Sequence, residues 1–199
     1  MLDKSEIRFL PVGARRLAYE VRGGDGPPLV APAWWASHLE LDWQNPGVRR
    51  FWEGVAEGHT LIRYDRLGVG MSDREMHDGD LTLDGEVAML RALLDELELD
   101  RVSLIGGSSG SCTATAFFAA TFPDRVDRLV LYGSYPHGEA LTAPGGVGDA
   151  IVAAVRAHWD SVPGCSATSS SAAPTRRNTN GSRGCSATRR PPKRPPNFF

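Results

Sequence analysis

The chain has 199 residues, 41% of them hydrophobic, and a formal net charge of −2, which supports one globular domain with its own core and excludes two ordinary domains. No apolar run approaches the length that spans a bilayer, and the charged residues near the amino terminus do not fit a secretory signal, so a soluble cytoplasmic protein is expected. The three cysteines form neither a Cys-x-x-Cys pair nor an even set, which excludes a disulfide framework.

Short apolar runs bounded by turn residues predict six strands. The first two flank Val12-Gly13 and predict an antiparallel hairpin. The third is bounded by prolines and followed by two tryptophans, as a buried strand beside a loop would be. In chain order the predicted strands are residues 7–10, 16–21, 28–32, 60–65, 101–105 and 128–132.

Helix patterns separate the later strands. One helix is expected to begin at Asn45-Pro46, with Asn as the cap and Pro in the first helical position. A second follows a Thr82 cap, and a third runs over residues 109–122 and contains Cys112 as a packing residue. Apolar residues recur at helical spacing in two places. The second helix has Leu83, Val87, Leu90, Leu94 and Leu97, and one more predicted helical face has Ile151, Val152, Val155 and Trp159.

Strands that alternate with helices of this length require crossover connections. The pattern therefore predicts an α/β fold with a mixed, mostly parallel sheet that helices cover on both faces. The opening hairpin makes the sheet mixed. The strand at residues 128–132 is expected to be an exposed apolar edge.

The last 39 residues have a different composition. All 24 acidic residues precede residue 161, whereas residues 161–199 carry seven lysines and arginines among Ser, Thr, Pro, Gly and Ala. Such a segment cannot bury enough apolar surface to offset chain entropy, so we expect a disordered, low-complexity tail. Its abrupt start is typical of translation that continues out of frame in a GC-rich gene. The basic residues are not interleaved with stacking aromatics, so nucleic acid is not the expected partner.

The string Gly106-Gly-Ser-Ser-Gly110 stands between a predicted strand and a predicted helix. In a Gly-x-Ser-x-Gly sequence at such a junction the serine occupies a sharp turn that exposes its hydroxyl, and the flanking glycines leave room for that backbone. Ser108 is therefore the candidate nucleophile, and we expect it in the left-handed region of φ and ψ.

Three segments together resemble the α/β-hydrolase family, over roughly residues 7–160. Residues 64–72 (Tyr-Asp-Arg-Leu-Gly-Val-Gly-Met-Ser) are similar to the family's Asp-x-Arg-Gly-x-Gly-x-Ser loop. Residues 106–110 resemble its nucleophile elbow, and residues 122–131 resemble the segment that leads into its sixth strand. The resemblance implies an α/β-hydrolase-like domain at 1–160 that lacks the last strands, with the start of a cap region at 136–160.

The activity that the resemblance implies is serine hydrolysis of a small ester, lactone or similar acyl substrate, with neither a metal nor an organic cofactor. Ser108 would attack the carbonyl, and the backbone N–H groups of Ser109 and of Trp35 or Trp34 would bind the oxyanion.

The family's acid and histidine follow the nucleophile in the chain. Only His137 and His158 lie beyond Ser108, and Glu139 is the acid that could mimic a minority arrangement after the sixth strand. His137 with Glu139 is thus one hypothesis, and a catalytically incomplete, ligand-binding fold is the alternative.

Two further interpretations concern neighbouring residues. Asp65 and Arg66 are interpreted as a structural Asp/Arg pair that braces the loop near the elbow, with a catalytic role as the alternative. Trp34, Trp35 and Trp43 are equally consistent with a substrate pocket and with a cover over the end of the sheet.

Overall fold

The computed structural model describes residues 6–24, 26–34 and 37–134, together with the helical positions 150, 153 and 157. Its six strands are β1 (Arg8–Val12), β2 (Arg15–Arg22), β3 (Pro28–Pro32), β4 (Thr60–Tyr64), β5 (Val102–Gly107) and β6 (Val126–Tyr132). Its longer helices are α1 (Leu39–Gln44), α2 (Pro46–Val55), α3 (Leu83–Glu96) and α4 (Ser108–Thr121), with 3₁₀ turns at Asp78–Leu81 and Pro123–Arg125.

The strands form one mixed sheet in the order β1-β2-β4-β3-β5-β6. The pairs β1–β2 and β2–β4 are antiparallel, and β4, β3, β5 and β6 run parallel to one another. This arrangement confirms the predicted fold class. Because parallel strands end at the same edge, the loops after β3, β4 and β5 meet there.

The predicted caps set the starts of two helices. The side-chain oxygen of Asn45 accepts the N–H groups of Gly47 and Val48 at 3.0 and 3.2 Å. The Thr82 hydroxyl accepts the N–H of Gly85 at 3.1 Å. Each bond satisfies a donor that the first turn of a helix leaves without a partner.

Two details differ from the sequence predictions. Helix α1 was not predicted, because six residues are too few to show a helical period. Leu83 was assigned to the buried face of α3 but is 41% exposed. A Cβ on Gly85 would lie 2.1 Å from the Gly79 carbonyl oxygen, so the first turn of α3 packs on the 3₁₀ turn at Asp78–Leu81.

The core lies on both faces of the sheet. Alternate residues of one strand enter different clusters, as Val30 and Leu29 of β3 do. The α3 and α4 side is the larger and includes Leu90, Leu94, Leu104 and Phe118; the α2 side includes Ala31, Trp52, Ala56, Leu61 and Ile105.

The strand β6 is an edge whose side chains are exposed on both faces. Its only partner among the described residues is β5, and residues 129–132 are 37 to 63% exposed. The prediction of an apolar edge at this strand is confirmed for the described part of the chain. The opposite edge, β1, contains Pro11, which lacks the N–H that a further strand would need.

Candidate active site at the elbow after strand β5

Ser108 lies at the junction of β5 and α4 with φ of 62°. A left-handed backbone at a residue with a Cβ costs about 1–2 kcal/mol, and strained positions of this kind concentrate at functional sites. The predicted conformation of Ser108 is therefore confirmed. Helix α4 begins one residue earlier than predicted, so the N–H of Ser109 is among those in its first turn that have no partner within the helix.

The three glycines around Ser108 differ in how much space a side chain would have at each position. A Cβ on Gly106 would lie 2.4 Å from the Thr115 hydroxyl oxygen, so this position needs a glycine for close packing of α4 on β5. A Cβ on Gly107 would lie 1.9 Å from the Trp34 indole. At Gly110 the nearest atoms are the Arg66 guanidinium nitrogens, 3.5 and 3.6 Å away, which is ordinary contact.

The buried residue Ser111 joins the elbow to the end of β3. Its hydroxyl donates to the Pro32 carbonyl at 3.3 Å and accepts the Gly107 N–H at 3.4 Å. Cys112, next in the chain, is 3% exposed, which confirms it as a packing residue. Burial raises the pKa of its thiol.

Trp34 follows β3 and places its indole against the elbow. Its ring lies 6.0 Å from that of Tyr132 in a stacked arrangement and 5.5 Å from both Phe51 and Trp52. The indole N–H is buried and has no hydrogen-bond partner among the described residues. Trp35, the other candidate from this loop, lies outside the described residues.

A cavity of about 300 Å³ opens beside Trp34, between α1, α2 and the ends of β3 and β4. Aromatic and aliphatic side chains form most of its wall, and the ion pair of Arg63 with Asp42 adds charge. Its lining includes Pro32, Trp34, Val48, Phe51, Trp52 and Arg63. Trp34 therefore lines this cavity and also packs on the elbow at the end of the sheet. Its role in a substrate pocket stays a prediction, because Ser108 is not among the residues that line the cavity.

Trp43 belongs instead to a buried charge cluster that the sequence did not predict. Its indole N–H donates to Glu20, which is fully buried and also accepts from Arg22 and Arg63. The Arg22 guanidinium lies 3.8 Å from the Trp43 ring centre. Beside this cluster, burial raises the pKa of Asp42, and the Arg63 charge offsets part of that rise.

Asp65 organises the loop that follows β4. It is fully buried and accepts the Ser37 hydroxyl at 2.5 Å, the Leu39 N–H at 3.1 Å and the Met71 N–H at 2.8 Å. A Cβ on Gly70 would lie 2.0 Å from its carboxylate, so the second glycine of the motif is required by contact with Asp65.

Arg66 bonds two other parts of the fold, the loop after β3 and helix α3. One terminal nitrogen, Nη2, donates to the carbonyls of Ala33 at 3.3 Å and Trp34 at 2.5 Å. The other, Nη1, donates to Glu86 of α3 at 3.1 Å. Asp65 and Arg66 thus brace loops near the elbow as expected, each through its own partners.

The candidate triad partners His137 and Glu139 lie outside the described residues. The three described histidines make other contacts: His38 caps α1, His59 bonds the Glu57 carbonyl and His77 faces Glu75. Among the described residues, no histidine hydrogen-bonds Ser108. Asp124 and Asp127 lie at the amino end of β6, whereas the elbow is at the carboxyl end of its parallel partner β5.

Two absences hold for the part of the chain that the structure describes. It contains no group of three or more His, Cys, Asp or Glu residues that could hold a metal ion. None of its helices is long and apolar enough to cross a membrane.

A serine on a left-handed turn between a parallel strand and a helix, with the first turn of that helix beside it, defines the class of nucleophile-elbow hydrolases. A family model described as the alpha/beta hydrolase fold matches residues 35–149, which is more than half of the chain. The chain belongs to this family.

The similar sequences are hydrolases with related names. A 2-hydroxy-6-oxononadienedioate/2-hydroxy-6-oxononatrienedioate hydrolase of Klebsiella pneumoniae is 31% identical over 145 residues, which are 71% of this chain and 49% of that protein. The enzyme of the same name from Cupriavidus pinatubonensis is 41% identical over 91 residues, 45% of this chain and 30% of its own. A 2-hydroxy-6-oxo-2,4-heptadienoate hydrolase of Pseudomonas putida is 37% identical over 111 residues, 56% of this chain and 35% of its own. The chain thus spans between about a third and half of the length of these relatives.

Solved structures show the same fold. A hydrolase from Pseudomonas aeruginosa matches with a TM-score of 0.61 at 24% identity, over 77% of this chain and 54% of its own. A 2-hydroxy-6-oxo-6-phenylhexa-2,4-dienoate hydrolase from Rhodococcus matches with a TM-score of 0.60 at 21% identity, over 79% of this chain and 55% of its own.

Proposed function

We propose that the protein is a serine hydrolase in which Ser108 attacks the carbonyl carbon of a small substrate. The observation that carries this proposal is the left-handed serine at the β5–α4 elbow, beside the first turn of α4. Attack forms a tetrahedral oxyanion, which the N–H of Ser109 and an N–H of the loop after β3 would bind. The positive end of α4 favours the same negative charge.

The attack also needs a base that takes the proton from the Ser108 hydroxyl. His137 is the candidate for that base and Glu139 for the acid that orients it, because both follow Ser108 in the chain. Collapse of the oxyanion would expel the leaving group, which takes the proton that the base holds, and would leave an acyl-enzyme that water then hydrolyses.

The names of the relatives support a substrate class. They describe hydroxy-oxo-dienoic acids, whose 6-oxo carbonyl is an electrophile of the kind that Ser108 would attack. The cavity beside Trp34 is mainly apolar, as a site for an unsaturated carbon chain would be, but Ser108 is not among its lining residues. A small ester or lactone, which the sequence favours, would meet the same nucleophile.

A second candidate function is ligand binding without turnover. The observation that favours it is that none of the described histidines hydrogen-bonds Ser108. A fold of this kind would keep the cavity and the elbow but lack the base.

The test compares the wild type with Ser108→Ala, His137→Ala and the matched serine variant Ser103→Ala. Substrates are 2-hydroxy-6-oxo-2,4-heptadienoate, followed by loss of its conjugated absorbance, and p-nitrophenyl acetate. Turnover that Ser108→Ala and His137→Ala abolish, and Ser103→Ala retains, supports the triad hypothesis. Substrate binding by calorimetry without turnover establishes the second candidate, and the absence of both contradicts the proposal.

A further inference from the structure

The Arg66 guanidinium makes contacts that stability alone does not explain. The side chain is 16% exposed, and its ion pair with Glu86 uses only one nitrogen. The buried Nε–H has no acceptor among the described residues, and leaving a buried donor without a partner costs about 1–3 kcal/mol. The remaining nitrogen is directed at backbone carbonyls in the loop after β3.

These carbonyls belong to the peptide groups that carry the candidate oxyanion donors. The Ala33 carbonyl shares one planar peptide with the N–H of Trp34, and the Trp34 carbonyl shares the next with the N–H of residue 35. In a trans peptide the N–H is antiparallel to the carbonyl, so a group that holds the carbonyl also sets the direction of the donor.

We propose that Arg66 is a positioning residue that orients the oxyanion donors of the loop after β3 relative to Ser108. The inference rests on the proposed function. Its second support is the position of the guanidinium beside Gly110, 3.5 Å from the site of an added Cβ. One rigid, planar group therefore holds the loop after β3 and also lies beside the first turn of α4.

Glu86 anchors this group from a third element. It projects from the first part of α3, and it is 13% exposed at the side chain. A lysine at position 66 would keep a charge near Glu86 but has neither the second terminal nitrogen nor the planar fork. The geometry therefore requires arginine, and Arg66→Lys isolates the geometry from the charge.

The test uses Arg66→Lys with Arg15→Lys as the matched control. Arg15 is similarly buried, at 11% exposure, and pairs with Asp80, but it touches neither the loop after β3 nor α4. Loss of one oxyanion donor lowers kcat by about 10²–10³, so its misorientation in Arg66→Lys should lower kcat by about 10–100-fold with KM unchanged. Arg15→Lys should keep the wild-type kcat.

A second readout does not depend on turnover. Amide hydrogen exchange at Trp34, measured by NMR, should be faster in Arg66→Lys than in the wild type and unchanged in Arg15→Lys. If the wild type has no Ser108-dependent activity while exchange accelerates in Arg66→Lys alone, the proposed function fails and the role of Arg66 in holding this loop stands.

The inference is overturned if Arg66→Lys keeps both the kcat and the exchange rate of the wild type. An equal fall of kcat in Arg15→Lys would also overturn it, because general destabilisation would then explain the loss. If circular dichroism shows that Arg66→Lys does not fold, Glu86→Ala is used instead, because it removes the carboxylate that holds the Arg66 guanidinium and leaves Arg66 itself in place. It should lower kcat and accelerate exchange at Trp34 in the same direction, and unchanged values would contradict the proposal.

Discussion

Replacement of Gly107 by alanine should destabilise the protein through a single collision. An added Cβ would lie 1.9 and 2.2 Å from two carbons of the Trp34 indole. The φ of Gly107 is −123°, which any residue adopts, so the backbone itself contributes no strain. Overpacking of a core costs about 1–3 kcal/mol. Because Phe51, Trp52 and Tyr132 surround the indole, we expect the upper half of that range.

Urea unfolding followed by far-ultraviolet circular dichroism measures this loss as a free energy of unfolding. Gly54→Ala in α2 is the control, since an added Cβ there has no atom within 4 Å, and it should be neutral or stabilising by about 0.5–1 kcal/mol.

A double variant isolates the contact itself. The double variant Gly107→Ala/Trp34→Ala has no indole for the new Cβ to collide with. Its loss in free energy of unfolding should therefore be smaller than the sum of the two single-variant losses by at least about 1 kcal/mol. Wild-type stability of Gly107→Ala, or additive losses in the double variant, would refute the reasoning.

Three further predictions concern strain, pH and association. Ser108→Gly should be more stable to urea than Ser108→Ala by about 1 kcal/mol, because only the glycine adopts φ of 62° freely; equal stability would mean that the elbow is unstrained. Burial raises the pKa of Glu86 above its ordinary value of 4.5, so its stabilising contribution is complete below that pH and is lost as the pH rises through the raised pKa. Glu86→Gln should therefore lessen the fall in Tm as the pH rises above about 4.5, and a profile parallel to the wild type would contradict this assignment. The exposed β6 edge should give concentration-dependent self-association in sedimentation velocity that Val130→Lys reduces, whereas Phe9→Lys at an exposed position of the β1 edge leaves it unchanged.

The order of strands and helices could be predicted because the local signals agree with one another. Bounded apolar runs marked β3 and β4, and the Asn45 and Thr82 caps marked the starts of α2 and α3. The left-handed Ser108 followed from the spacing of glycines between a strand and a helix. These features depend on residues that are close in the sequence.

The tertiary bonds could not be predicted, because they depend on which side chains meet across elements. Arg66 and Glu86 are 20 residues apart, and the Trp43 indole meets Glu20 over 23 residues. Spacing carries no information on such pairs. The bridge from Ser111 to Pro32 spans 79 residues, and its only local signal is a small polar residue one turn into α4.

The direction of protein synthesis gives these bonds a consequence. Pro32, Arg66 and Glu86 all precede Ser108 in the chain, and Tyr132, which stacks on Trp34, follows it by 24 residues. As a ribosome adds residues from the amino end, every described partner of the elbow has been made once β6 emerges. The turn can therefore form early, while the outer edge of β6 has no strand partner among the described residues. A chaperone that binds extended, apolar segments would act at this stage, before β6 pairs with the edge strand of a neighbouring chain.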